Sequence, residues 1–115
     1  MPLLHMVTSA EAPASSEDML RDLSALLSHE LGKPEAYVMT LLESRARMTF
    51  AGSSAPACYV GVKNVGTFGA ELTRRLSRLI TERVSKGLGV PSGRIYIEYV
   101  EAAPHLWGYD GDTFA

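Results

Sequence analysis

The chain has a single cysteine and three widely spaced histidines among its 115 residues. A lone Cys58 excludes an intramolecular disulfide, a Cys-x-x-Cys redox pair and a cysteine-rich metal site. It lies in a short apolar run, where we expect a small, half-buried hydrophobic residue. The histidines form no His-x-x-x-His pair, which argues against a metal site. There is also no Gly-x-Ser-x-Gly elbow for a serine nucleophile. We therefore expect no metal and no cofactor.

Blocks of like charge and long apolar runs are also missing. The net charge is -2 with Lys and Arg dispersed, so nucleic acid and anionic membranes are not expected partners. No apolar stretch approaches the roughly 18 residues of a membrane span, and no signal-peptide pattern opens the chain. We expect a cytoplasmic protein, or one secreted without a signal peptide. A chain of this length fits one domain, residues 1-115, that buries roughly two thirds of its unfolded surface.

Hydrophobic spacing predicts two helices and four strands. Leucines from Leu20 to Leu31 recur at helical spacing between a cap at Ser15 or Ser16 and a stop at Gly32. A second apolar helical face ends at Gly87 and Gly89, and Glu71 lies at i,i+4 spacing from Arg75. Strands are predicted at Pro2-Ser9, Tyr37-Leu42, Ala57-Lys63 and Ile95-Val100, with an extended piece at Met48-Gly52.

The pattern repeats after 57 positions, where Leu31-Gly32-Lys33-Pro34 matches Leu88-Gly89-Val90-Pro91. Two βαβ units are the simplest architecture, and together they give an α/β fold with a four-stranded sheet and both helices on one face. The other face has no cover of its own. Because Tyr37-Leu42 is apolar on both sides, the uncovered face predicts a homo-oligomer.

Two residues are candidates for chemistry. Removal of Met1 would turn Pro2 into a buried secondary amine, and apolar burial or a nearby cation lowers the pKa of such an amine. The alternative is that Pro2 only stiffens the start of a strand. Lys33 is Val90 in the second repeat, so the turn itself does not require a cation. It is either a ligand contact or a solvated lysine at a helix C-terminus. The Gly66-Gly69 loop lacks a phosphate-loop signature, although its backbone N-H groups could hold an anion.

Several spaced motifs together resemble the macrophage migration inhibitory factor and D-dopachrome tautomerase family, from end to end of the chain. They are Met1-Pro2, Gly32-Lys33-Pro34 with Tyr37, Met48-x-Phe50-x-Gly52, Asn64-Val65-Gly66, Arg94-Ile95-Tyr96-Ile97 and the closing Trp107-Gly108-Tyr109-Asp110-Gly111-Asp112-Thr113-Phe114. The resemblance implies a tautomerase-superfamily fold assembled as a homotrimer, with active sites between subunits.

The same resemblance implies roles for individual residues. Pro2 would be the catalytic base that moves a carbon-bound proton of an α-keto acid such as phenylpyruvate, with dopachrome-type compounds as a further class. Lys33 would bind the carboxylate or the enolate-side oxygen, and the backbone N-H of Val65 would be a second oxygen contact. Tyr96 of the adjacent subunit would line the ring pocket. Further pocket positions match Leu3, Tyr37, Trp107 and Phe114.

Departures from the family pattern qualify these roles. Glu98 stands where vertebrate members carry asparagine, which puts a preference for hydroxylated substrates in doubt. Tyr109-Asp110 replaces the usual Trp-Asn and is expected to reshape the rim. Ala57 and Val60 occupy the vertebrate Cys-x-x-Cys positions, so thiol oxidoreductase activity is not expected.

Two other classes of function compete with the tautomerase. One is a cytokine-like signalling protein with a vestigial pocket, which would bind a cell-surface receptor if exported. The other is the dehalogenase or decarboxylase chemistry of the wider superfamily, which only Glu98 favours.

Overall fold

A four-stranded mixed sheet with two helices organises the computed structural model, which describes residues 1-115. The sheet order is β2-β1-β3-β4. Its elements, in chain order, are β1 (Leu3–Thr8), α1 (Ser16–Leu31), β2 (Met39–Glu43), β3 (Cys58–Val65), α2 (Ala70–Leu88) and β4 (Ile95–Ala102). A small hairpin of β5 (Gly108–Tyr109) and β6 (Asp112–Thr113) follows.

The predicted repeat is confirmed by the strand pairing. β1 is parallel to β2 and β3 is parallel to β4, while β1 and β3 run antiparallel at the centre. Leu3 pairs with Met39 in the first unit, and Tyr59 pairs with Tyr96 in the second. The two pairs occupy equivalent positions, so Pro2 in one unit corresponds to Cys58, the first residue of β3, in the other.

The core lies between the sheet and the helices because alternate residues of each central strand point to the same face. It contains Leu4 and Met6 of β1, Val60 and Val62 of β3, Leu23 and Leu27 of α1, and Leu76, Ile80 and Val84 of α2, all fully buried. Full burial of each such side chain contributes about 1.5–3 kcal/mol. Both helices are thereby held on one face, as predicted.

The opposite face of the sheet is open and partly apolar in a single chain. Met39 is 62% exposed, Tyr96 66% and Val100 38%. In β4 the exposed residues alternate with more buried ones, as the sequence pattern predicts for a strand with one covered face. The expectation of a homo-oligomer rests on this face and stays a prediction.

Glycine ends both helices, but not at every predicted position. Gly32 and Gly89 adopt left-handed φ angles of 63° and 70°, which L residues with a Cβ disfavour. The predicted stop at Gly87 is wrong, because α2 continues through it to Leu88. Ser15 precedes α1 as expected, although its side chain makes no capping hydrogen bond.

Other boundaries also differ from the prediction. β3 continues to Val65, so Asn64 and Val65 belong to the strand and not to a loop. β2 begins at Met39 because a 3-10 turn, Glu35–Tyr37, occupies the preceding residues. Residues 48-52 form no strand and contribute only an isolated bridge from Phe50 to Ser53.

Two ion pairs join one helix to the other. Arg75 pairs with Glu30 of α1 at 2.7 Å, not with Glu71 as its spacing suggested, and Arg83 pairs with Asp22 at 2.7 Å. Neither helix has the combination of length and hydropathy that crossing a membrane requires.

Candidate active site at the start of the first strand

Pro2 lies at the edge of the sheet core, where the first strand begins. Its side chain is fully buried, and its carbonyl oxygen accepts the N-H of Met39 at 3.0 Å. Proline has no N-H to donate to the hydrogen-bond ladder of a sheet. It is tolerated here because it stands at the start of the strand. With Met1 attached its nitrogen is a tertiary amide, so basic chemistry at this position belongs to the chain without Met1.

A cavity of about 250 Å³ opens beside this strand start. Nine of its ten lining residues are hydrophobic, which is typical of a site for a small molecule with an apolar group. They are Met1, Leu3, Ala36, Tyr37, Val38, Met39, Trp107, Gly108, Tyr109 and Phe114. Four of the predicted pocket residues, Leu3, Tyr37, Trp107 and Phe114, are therefore brought together in one chain.

Aromatic rings hold this pocket in shape. The Tyr37 ring meets Tyr109 and Phe114 edge-on, with centroids 5.3 and 6.1 Å apart, and the Tyr109 and Phe114 rings stack at 5.7 Å. Such pairs stabilise by about 0.5–1.5 kcal/mol beyond the area they bury. The aromatic residues near the C-terminus therefore pack against the rest of the chain.

The C-terminal segment is placed by a tight hairpin. Asp110 and Gly111 have φ angles of 50° and 81° between β5 and β6, which is the arrangement that favours Asp-Gly in two-residue hairpins. The N-H of Phe114 then donates to the Trp107 carbonyl at 3.3 Å and to the Pro104 carbonyl at 3.2 Å. Tyr109 consequently reaches the pocket wall, and Asp110 only forms the turn.

Both the backbone and the side-chain nitrogen of Lys33 are held by hydrogen bonds. Its carbonyl accepts the Ser28 hydroxyl at 2.6 Å, and its Nζ donates to the Val65 carbonyl at 3.1 Å. Lys33 and Val65 are among the residues that line a second, shallow depression, which shares no lining residue with the aromatic cavity. Burial, followed by the charge of Lys33, lowers the pKa of the Met1 α-amino group below its usual value. The cation therefore acts on an amine at this end of the chain.

The loop after β3 uses its N-H groups internally. The Gly66 N-H donates to the Ala102 carbonyl at 3.2 Å, and the Phe68 N-H donates to the Glu101 carboxylate at 2.7 Å. The anion held by this loop is thus a side chain of the protein itself.

Tyr96 and Glu98 are not brought to this pocket within one chain. They lie on β4, at the sheet edge opposite to β2. The Tyr96 ring meets Phe50 edge-on with centroids 4.8 Å apart. Glu98 accepts the Tyr59 hydroxyl at 2.6 Å, and this hydrogen bond is the main reason that the pKa of Tyr59 is raised.

Sequence reasoning missed Met39 and Tyr109 as wall residues. Met39 could have been found from the repeat, because it is the equivalent of Tyr96 and pairs with Leu3. The side chain of Cys58, at the equivalent of Pro2, is 2% exposed and so more buried than the half-buried residue expected, and burial raises the pKa of its thiol to about 11. A thiol in such an environment is unreactive.

Comparison with known proteins gives one consistent result. The sequence model described as macrophage migration inhibitory factor (MIF) matches residues 1–115. The macrophage migration inhibitory factor homolog of Trichuris trichiura is 34% identical over 114 residues, which cover 99% of this chain and 100% of that protein. The macrophage migration inhibitory factor of Xenopus tropicalis is 27% identical over 115 residues, the whole of both chains.

Solved structures agree with the sequence comparisons. The macrophage migration inhibitory factor homologue from Prochlorococcus marinus superposes with a TM-score of 0.95 at 40% identity, over 98% of this chain and 99% of that one. The corresponding protein from Trichinella spiralis gives 0.88 at 27% identity, over 97% and 99% of the two chains. Sequence and fold over the full length place the chain in the macrophage migration inhibitory factor family.

Proposed function

We propose that the chain, once Met1 is removed, is a keto-enol tautomerase of phenylpyruvate-like α-keto acids with Pro2 as its general base. Membership of the family supports tautomerase chemistry in general. The substrate class and the residue roles are inferred from the site. The observation that carries the proposal is a buried Pro2 beside an aromatic-lined cavity, at a chain end where burial and Lys33 lower the pKa of an amine.

The reaction needs one base and one oxygen-binding region. The Pro2 nitrogen takes a proton from the carbon next to the keto group, and the electron pair of that C-H bond forms the C=C bond of an enolate. The carbonyl π pair moves to oxygen, which the Pro2 ammonium then protonates to give the enol and the free amine. The reverse sequence returns the keto form. A lowered pKa favours the uncharged form of an amine, and that form is the one that accepts the proton.

Lys33 supplies the charge that a keto acid requires. Its ammonium has three donors, and only one is used on the Val65 carbonyl. The other two are available to the substrate carboxylate or to the developing enolate oxygen. The Val65 N-H is proposed as the second oxygen contact. Fixed donors of this kind stabilise the charge of the transition state more than water does.

The apolar part of the substrate is proposed to occupy the cavity lined by Leu3, Tyr37, Trp107 and Phe114. Tyr96 and Glu98 are proposed to complete the wall from an adjacent subunit of a homotrimer, since β4 presents them on the open face. Glu98 already accepts the Tyr59 hydroxyl. A carboxylate can accept a further phenol hydroxyl, so the proposal makes no distinction between hydroxylated and unsubstituted rings.

The test combines the mass of the mature N-terminus with a phenylpyruvate tautomerase assay. Pro2→Gly is expected to lower kcat/KM by about 100-fold or more, in the range that a general base contributes. Pro91→Gly, the same substitution in the turn before β4 and outside the residues that line the cavity, is the control and is expected to retain activity. Light scattering of each variant establishes that the oligomer is unchanged. Full activity in Pro2→Gly with an intact oligomer would show that Pro2 is not the base.

The competing function is a cytokine-like binding protein with a vestigial pocket. Wild-type protein that lacks turnover of phenylpyruvate and dopachrome esters, yet engages a cell-surface receptor, would favour it. That outcome also bears on location, because binding to a cell-surface receptor requires export, whereas a keto acid tautomerase can act in the cytoplasm.

A further inference from the structure

Asn64 is a buried polar side chain without a role in the fold. It is 3% exposed, and its Oδ1 is completely buried without a hydrogen-bond partner. The other such atom, His5 Nε2, lies 3.4 Å from the Glu43 carboxylate. Buried polar groups in folded proteins are nearly always paired, so an orphan oxygen calls for a physical explanation.

The strand register places Asn64 opposite Pro2. Leu3 is opposite Lys63 in the antiparallel pair of β1 and β3, and one further step along each strand sets Pro2 opposite Asn64. Both residues lie on the core-facing side, since Leu4 and Val62, two positions away, are core residues. Directly opposite residues in such a pair have Cβ atoms about 4.5–5.5 Å apart.

Few other polar groups face this end of β1. Lys33 approaches from the turn after α1 and donates to the Val65 carbonyl, and Tyr37 approaches from the turn before β2. Lys63 points to the other face of the sheet. Lys33 offers only donors, so it cannot bond an N-H. Asn64 Oδ1 is the buried acceptor of this neighbourhood that is still unused.

We propose that Asn64 is a positioning residue, whose side-chain oxygen accepts a hydrogen bond from the Pro2 nitrogen when that nitrogen holds the abstracted proton. The proposal rests on the function proposed above. It also explains the missing partner, because the tertiary amide formed with Met1 has no N-H to donate. Removal of Met1 creates the donor, and the Asn64 oxygen then orients the nitrogen toward the pocket.

The hydrogen bond has a measurable electrostatic consequence. An acceptor for the ammonium form stabilises that form and raises the pKa of Pro2, in opposition to burial and Lys33. Asn64→Leu, similar in size but without an acceptor, is expected to lower this pKa by about one unit. Asn64→Asp adds a negative charge and is expected to raise it above the wild-type value.

The experiment is a titration of processed protein carrying 15N-labelled proline, with the Pro2 nitrogen shift followed by NMR. The expected order of pKa values is Leu below Asn and Asn below Asp, and the acidic limb of kcat/KM for phenylpyruvate should move in the same order. Thr8→Val, which removes a buried hydroxyl bonded to the Ala57 carbonyl at 2.8 Å, is the control. Thr8 is at the far end of β1, the strand that follows Pro2, so the substitution perturbs that strand but should leave the Pro2 pKa unchanged.

Equal Pro2 pKa values in wild type and Asn64→Asp would overturn the proposal, even if Asn64→Leu fails to fold. The titration needs no turnover, so it separates the two hypotheses. If wild-type protein has no tautomerase activity but the Pro2 pKa values follow the expected order, the proposed function is wrong and the role of Asn64 stands. If wild-type protein is active but the Pro2 pKa does not depend on residue 64, the role of Asn64 is wrong and the proposed function stands.

Discussion

At the scale of single residues, the two repeats place different chemistry at equivalent positions. Pro2 and Cys58 both precede the first open-face residue of a strand pair. The thiol is internal to the chain and deeply buried, and its pKa is raised to about 11. Pro2 is next to the chain end, where removal of one residue creates a new amine. Under the proposed function, only the Pro2 position could therefore supply an amine base.

Lys33 is the second residue with an effect at the N-terminal end of the chain, where its charge lowers the pKa of the terminal amine. We predict that Lys33→Met raises the pKa of the freed Pro2 amine, because a nearby cation disfavours the ammonium form. The acidic limb of kcat/KM should therefore move to higher pH. Loss of a charged hydrogen bond should lower kcat/KM at the plateau by about 10- to 100-fold.

A pH profile of kcat/KM with phenylpyruvate measures both effects of Lys33→Met. Lys86→Met, on the last turn of α2, is the control and is expected to match wild type. An acidic limb in the same place for Lys33→Met would mean that the lysine charge does not reach the base.

At the scale of elements, one arginine holds the long loop between β2 and β3. Arg94 donates to the carbonyls of Pro56, Phe50, Ser53 and Ala55, and its guanidinium lies 5.2 Å from the centre of the Phe50 ring. Phe50 in turn meets Tyr96. The loop therefore supports the open-face residue that is proposed to wall a neighbouring pocket.

We predict that Arg94→Lys destabilises the protein by on the order of 2 kcal/mol, because lysine cannot reproduce four directed hydrogen bonds to one loop. Arg74→Lys, on the exposed surface of α2, should change stability by less than about 0.5 kcal/mol. Chemical denaturation of both variants gives the comparison. Equal midpoints would show that the loop is held by something other than Arg94.

At the scale of the whole molecule, the open face and the incomplete pocket point to the same assembly. One chain gathers Leu3, Tyr37, Trp107 and Phe114, while Tyr96 and Glu98 lie at the far edge of its sheet. A homotrimer that places β4 of one subunit beside the pocket of the next would cover the exposed apolar residues and complete the site at the same contact.

We predict complementation between two inactive variants. Pro2→Gly and Tyr96→Ala subunits, unfolded together in equal amounts and refolded, should form mixed trimers in which about a quarter of the pockets combine an intact Pro2 with an intact neighbouring Tyr96. Phenylpyruvate turnover of the mixture should exceed that of either variant refolded alone. No gain in mixtures shown to contain both subunits would indicate that each site is built from a single chain.

The sequence alone determined the two helices, the four main strands and their grouping into two βαβ units. Helical leucine spacing, Gly32, strand alternation and the repeat are short-range signals, because they reflect dihedral preferences and the side of an element that must be buried. Those signals place Pro2 at a strand start and Lys33 at a turn. They failed at Gly87, where a glycine is tolerated inside a well-packed helix, and at Asn64 and Val65, where pairing with β4 extends the strand beyond its apolar run.

The tertiary structure decided which side chains meet. Lys33 bonds to the Val65 carbonyl, Glu98 to Tyr59 and Arg75 to Glu30 across separations that no local pattern encodes. Such contacts depend on strand register and helix placement, and a shift of one residue would turn each side chain to the other face. The same register sets Asn64, whose side-chain oxygen is unpaired, opposite Pro2, and only the fold reveals that relation.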